Sequence, residues 1–178
     1  MLHLLFKKVE GFINDNKDHA TFTGGVSEEK VKLIENELNV NLPESYRWFL
    51  KKYGSGGIYA ANILGYDLVS SSVVEKTKEF RELYNLTEGL VVIEDIDIFA
   101  YCLDTNKMVD GECPVVVWAT QGGYGRTVEQ TFLTFLFERL KEKKKFGKKT
   151  KIGKMKSDKN SLILSKGEVF LKGIFCLK

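Results

Sequence analysis

Cysteine, histidine and proline are scarce in this chain: 178 residues contain three Cys, two His and two Pro. Cys102, Cys113 and Cys176 are odd in number and form no CxxC pair. With only His3 and His19 to assist them, they make neither a disulfide framework nor a zinc site. Cys102 and Cys113 could face each other across a hairpin, but the plainer expectation is two small buried hydrophobes. A Ser-His or Cys-His nucleophile pair is equally unsupported, because both histidines lie near the N-terminus, in or beside polar, lysine-rich sequence. No run of about 18 apolar residues exists, so no membrane span is expected. The opening "MLHLLFKKVEGF" places its lysines after its apolar residues, the reverse of a signal peptide, and the expected location is cytoplasmic.

Phosphate loops, dinucleotide fingerprints and HExxH are missing as well. "GSGG" at 54–57 follows a helical pattern and precedes an extended one, the wrong order for an anion cradled at a helix N-terminus. "EDID" gathers Glu94, Asp95 and Asp97, which could hold a metal or serve as acid and base. Ile96 and Ile98 interrupt the ligand pattern, however, and a solvated turn is the plainer reading. No cofactor, no metal and no enzymatic activity are expected.

What is present is core material, 43% hydrophobic and 12% aromatic, enough for one domain. Leu2, Leu5, Phe6, Val9, Phe12 and Ile13 keep the spacing of one helical stripe. Ser27 is a good N-cap for a second helix with Val31, Ile34 and Leu38 inside. Pro43 suits the start of a third, on which Leu42, Tyr46, Phe49, Leu50 and Tyr53 share one arc while Trp48 falls outside it. Gly54 ends that helix, and Gly56-Gly57 turn the chain into expected strands at 58–60 and 63–66. Ser72 and Glu75 read as a capping box for a fourth helix with Val73, Thr77, Phe80 and Tyr84 inward. Strands are expected at 90–94, 98–103 and 115–118, the last buried on both faces. A second capping box, Thr127 to Gln130, is expected to open a final helix through about Leu140. The sum is a single α+β domain with a mixed, mainly antiparallel sheet flanked by helices.

Charge divides the chain. Residues 1–140 carry 14 Lys/Arg and 21 Asp/Glu, whereas 141–178 carry 13 lysines and three acids. Within 86–112, Glu88, Glu94, Asp95, Asp97, Asp104, Asp110 and Glu112 face only Lys107. Hairpin turns there are expected to gather the carboxylates at one end of the sheet. Such a field would speed encounter with a basic partner and repel nucleic acid.

"VSEEKVKLIENELNVNLPESYRWFLKKYGSGGIY" resembles the N-terminal signature of the SUKH superfamily: an acid-rich helix, Leu-Pro-x-x-Tyr, an aromatic helix and a Gly-Gly turn. The matching positions are Leu42, Pro43, Tyr46, Phe49, Leu50, Tyr53, Gly56, Gly57 and Ile58. "GLVVIEDIDIFAYCLDTNKMVDGECPVVVW" resembles a later part of the same family, so the likeness covers about 8–140. Within it the chain looks most like YobK-type antitoxins of LXG toxin systems. The resemblance implies an immunity protein that binds and silences a cognate toxin, often a nuclease, with the motif residues serving as scaffold. An intracellular scaffold or regulator, as in the yeast relatives, is the other role it implies. Trp48, Glu94, Asp95, Asp97, Asp104, Asp110 and Glu112 are the candidate toxin contacts. The partner is expected to be a basic toxin domain, with no membrane and no direct nucleic acid for 1–140.

Residues 141–178 depart from the family, whose members of this type end in an acidic segment. With permitted codons, the segment after Lys145 read one base earlier gives Ile-Trp-Lys-Lys-Asp-Glu-Asp-Trp-Glu-Asp-Glu-Glu and a stop. A one-base slip near Lys143–Lys145 is therefore the expected origin of the lysine-rich end. If the tail is genuine, it is expected to be a basic anchor for nucleic acid or anionic membrane; either way its glycine and lysine content predicts disorder to about residue 160, with a hairpin possible over 162–177.

Overall fold

The computed structural model describes residues 2–147. Helix α1 (Leu2–Asn14) is followed by a 3-10 turn (Lys17–His19), then α2 (Glu28–Leu38), α3 (Glu44–Tyr53) and α4 (Ser72–Tyr84). Four strands come next: β1 (Leu90–Asp95), β2 (Phe99–Asp104), β3 (Val115–Ala119) and β4 (Gly123–Glu129). A 3-10 turn, Thr105–Lys107, lies between β2 and β3. The last helix, α5, covers 132–147. The strands form one sheet in the order β1-β2-β3-β4, every pair antiparallel. The α+β class read from the sequence is thus the class observed. The tail beyond residue 147, with Cys176 and the suspected hairpin, lies outside the described residues.

The aromatic helix is the centre of the core. Tyr46, Phe49 and Leu50 are fully buried, with Ile58 beside them. Phe132 of α5 meets Tyr46 and Phe49 edge-on, at 4.9 and 5.6 Å between ring centroids. Tyr46 also satisfies its hydroxyl by donating to the Leu64 carbonyl at 2.8 Å, so a buried polar atom costs little here. On the other side of the domain, α4 packs on β1, and its buried Thr77 accepts the Val92 N–H through Oγ1 at 3.0 Å. Leu64 N–H donates to the Ile93 carbonyl. Together these contacts close the outer edge of β1, which would otherwise invite another strand.

Four expectations change. Residues 58–60 and 63–66 are not strands: Ala20 bridges Ile58 and Gly56 bridges Ile63 singly, and Tyr59 and Ala60 take positive φ values of 51° and 65°. Ser72 is the first residue of α4, not its cap, and its hydroxyl is spent on both the N–H and the carbonyl of Gly65. Thr127–Glu129 belong to β4, so the final helix starts at 132 and runs past Leu140 to 147. Val117 of β3 is only half-buried, because the sheet face there is partly uncovered.

Gly56 has φ 102°, and a Cβ there would stand 2.1 Å from the Thr21 carbonyl oxygen. A Cβ on Gly57 would stand 2.6 Å from the Ala61 carbonyl oxygen. The Gly-Gly turn is therefore demanded by backbone passing against backbone.

Candidate partner-binding site

The carboxylates singled out from the sequence do not share one end of the sheet. In the β1–β2 register Leu90 lies opposite Asp104 and Asp95 opposite Ala100, so Asp95 and Asp104 occupy opposite ends of the hairpin. Glu94, Asp95 and Asp97 sit near the β1–β2 tip. This tip adjoins the β3–β4 turn, where Thr120 donates its N–H and its hydroxyl to the Ile98 carbonyl. Asp104, Asp110 and Glu112 lie at the far end. The expectation of one gathered acidic end is corrected: Asp95 stands beside the hairpin tip and Asp104 at its open end, so the length of the β2 strand separates them.

Three of the six carboxylates face inward. Glu94 is 2% exposed and takes a bidentate grip on Arg139 of α5, Nε to Oε2 at 2.7 Å and Nη2 to Oε1 at 2.9 Å. Burial alone would lower the Arg139 pKa, but the hydrogen bonds and charge of Glu94, then Glu142, hold the guanidinium above its ordinary value. Asp104, also 2% exposed, accepts from the Tyr124 hydroxyl at 2.9 Å and pairs with Lys107 at 2.9 Å. Glu112 accepts from the Ser45 N–H at 2.9 Å and from its hydroxyl at 2.6 Å, while the Glu44 N–H donates to the Gly111 carbonyl. It caps α3 from the β2–β3 connection, which α3 needs because Pro43 offers no side-chain cap. Burial raises the Glu112 pKa, partly countered by the Ser45 hydrogen bonds.

The outward set is smaller. Asp95 is half-buried, pairs with Lys76 of α4 at 3.3 Å and accepts the Asp97 N–H at 3.0 Å. Asp97 and Asp110 are exposed, with φ of 61° and 49°, left-handed positions that aspartate tolerates in turns. Ile98, beside Asp97, is 74% exposed. Trp48 is half-buried on the outer side of α3, edge-on to Phe6 at 4.8 Å and Tyr53 at 5.5 Å. A shallow hollow of about 390 Å³ beside it is lined by Glu44, Arg47, Lys51 and Lys52. Cys102 lies opposite Val116 in the sheet, so it does not face Cys113. Both are buried free thiols whose pKa burial raises, Cys113 to about 12.

Sequence reading missed Arg139, Tyr101 and Tyr124. Nothing local marks them, because Arg139 is 45 residues from the carboxylate that it holds. The one available signal was that a buried acid on a strand requires a cation from elsewhere in the fold.

Among the described residues no group of three or more His, Cys, Asp or Glu could hold a metal ion. No described helix is long and apolar enough to cross a membrane. The SUKH_5 family, described as SMI1-KNR4 cell-wall, matches residues 8–141. The chain belongs to the SUKH family. The match spans α2 to β4 and most of α1, and it contains every residue of the Leu-Pro-x-x-Tyr and Gly-Gly motifs. In this SUKH domain Leu42, Pro43, Tyr46, Phe49, Leu50, Gly56, Gly57 and Ile58 are buried and Tyr53 is half-buried. The SUKH family includes immunity proteins of toxin systems and is generally non-catalytic.

Proposed function

We propose that this SUKH domain is an immunity protein that binds one cognate toxin stoichiometrically and blocks it. The observation that carries the reading is the family match over 8–141, which spans the whole sheet and the helices packed on it. The surface chemistry supports it: residues 1–140 have an excess of acids, 21 against 14 Lys/Arg, suited to a basic toxin domain. Within that reading the toxin is of the LXG type, as for YobK-type antitoxins, and is a nuclease whose basic cleft attracts carboxylates. Trp48, Asp95, Asp97 and Asp110 are the candidate direct contacts. Glu94, Asp104 and Glu112 act by holding the surface in place. Binding takes place in the cytoplasm without cofactor, membrane or nucleic acid. The binding unit, expected from the sequence to end at 140, extends to the end of α5 at 147, because Glu142 pairs with Arg139, and the remaining lysine-rich sequence is a separate basic segment.

The alternative is an intracellular scaffold or regulator, favoured by the cell-wall description of the matching family. One experiment separates the two. The full chain is used as bait in a lysate of its source organism, and a retained partner is titrated for inhibition. A single basic toxin domain, silenced at equimolar ratio, is the expected result. Several weakly held cell-wall or signalling proteins, with no toxic partner, would overturn the immunity reading.

A further inference from the structure

A cavity of about 250 Å³ opens between the uncovered part of the sheet and α5, lined by Tyr101, Val128, Glu129, Phe135, Glu138, Arg139 and Glu142. It is smaller than the roughly 300–1,000 Å³ of pockets that enclose small-molecule ligands, and of a size to take one long side chain. Its walls are aromatic: Tyr101 and Phe135 stand 4.9 Å apart, and Phe99 extends the row 5.3 Å from Tyr101.

The charges around the cavity are unequally committed. Arg139 lies 5.3 Å over the Tyr101 ring, but its charge is answered twice, by buried Glu94 and by Glu142 at 2.6 Å. Glu138 is held by Lys141. Among the described residues Glu129 has no ion-pair partner and the second oxygen of Glu142 has no hydrogen-bond or ion-pair partner. Burial raises the Tyr101 pKa, opposed by the charge of Arg139 and, less, by that of Arg126 on exposed β4. The residues lining the cavity carry three carboxylates and one guanidinium. Tyr101 makes no hydrogen bond through its hydroxyl among the described residues, which leaves a donor and acceptor at the cavity wall.

We propose that this cavity is the anchor point for the partner, taking one arginine side chain from the toxin. This rests on the immunity reading and names the kind of residue that reading requires. A guanidinium entering the cavity stacks against Tyr101 and Phe135 and donates to Glu129 and the free oxygen of Glu142. Arginine fits better than lysine because a planar, weakly hydrated cation uses the aromatic walls and the carboxylates together. The Glu94–Arg139 pair is the positioning element: it fixes Arg139, so that Arg139 cannot swing out to claim Glu129.

The test is an NMR titration of the isotope-labelled full chain with a blocked Gly-Arg-Gly tripeptide, and with its citrulline counterpart as the neutral isostere. The expected result is shifts confined to Tyr101, Val128, Glu129 and Phe135 with arginine and absent with citrulline. These shifts should weaken about tenfold in Glu129→Gln/Glu142→Gln, as expected when charge-assisted bonds are lost. Scattered shifts, equal shifts with citrulline, no shifts, or unchanged shifts in the double variant would overturn the proposal. A chain that still silences its toxin while failing this titration refutes the arginine cavity alone; a chain that binds arginine but no toxin refutes the immunity reading instead.

Discussion

Truncating Glu94 tests whether the carboxylate belongs to the binding surface or to the fold. With its side chain 3% exposed against 11% for Arg139, Glu94→Ala leaves a largely desolvated guanidinium with only the exposed Glu142. Breaking a buried pair from one side costs about 3–5 kcal/mol, and the residual Glu142 contact places Glu94→Ala at the lower end. Glu94→Gln, which keeps the shape and one acceptor, should cost about 2 kcal/mol. Replacing both partners with apolar residues, Glu94→Leu with Arg139→Met, should return stability to within about 1 kcal/mol of the parent, because no charge is then stranded. Urea unfolding followed by far-UV circular dichroism supplies all three differences from the parent, with the slope of the transition expected to stay constant. With the single Glu94→Leu and Arg139→Met variants added, the double-mutant cycle should give a coupling above about 2 kcal/mol. Glu94→Ala within about 0.5 kcal/mol of the parent would refute the reasoning, since a group that matters only to a partner behaves as an ordinary surface position.

Other outcomes follow from the same geometry. Phe49→Ala should cost about 3–5 kcal/mol and Tyr46→Phe about 1–2 kcal/mol, the first from a core cavity and the second from orphaning the Leu64 carbonyl, both measured by urea unfolding. The raised Glu112 pKa means that folding disfavours its charged form. The penalty is complete above the folded pKa and fades as pH falls through it toward the ordinary glutamate value near 4.3. Against Glu112→Gln, the parent should therefore gain relative stability on acidification across that window, and a flat difference between the two pH profiles would show the group to be unperturbed. Sequencing the coding DNA across Lys143–Lys145 should show codons for 146–158 that, read one base earlier, encode the acidic, tryptophan-bearing end; codons incompatible with that frame would exclude the slip.

The helical half of the fold was legible because burial there follows a local rule. Val31, Ile34 and Leu38 sit one turn apart, and all three are buried as their spacing requires. The extended half was legible only where apolar runs were long, at β1, β2 and β3. Strand β4 reads "GYGRTVE", with glycines and charges that carry little strand signal, and it forms because β3 offers it an edge. The supposed strands near Ile58 and Ile63 fail for the converse reason: their apolar side chains fill the core from a folded-back loop. The candidate site was half legible. A string of acids shows charge, but not which acids meet a cation or a helix end 45 or 67 residues away.

The Glu112 cap on α3 bears on how the chain is made. Residues 44 and 45 leave the ribosome 67 residues ahead of the carboxylate and carbonyl that close their N–H groups. Until the β2–β3 connection is synthesised, the aromatic helix has an open first turn, and until α5 follows it lacks the Phe132 ring that meets Tyr46 and Phe49. Its completion is thus tied to the arrival of the sheet, and helix and sheet are expected to form in one late, cooperative step rather than in sequence order. A nascent chain stopped before residue 112 should then be a ready substrate for proteases and chaperones, and one extended past α5 should resist them.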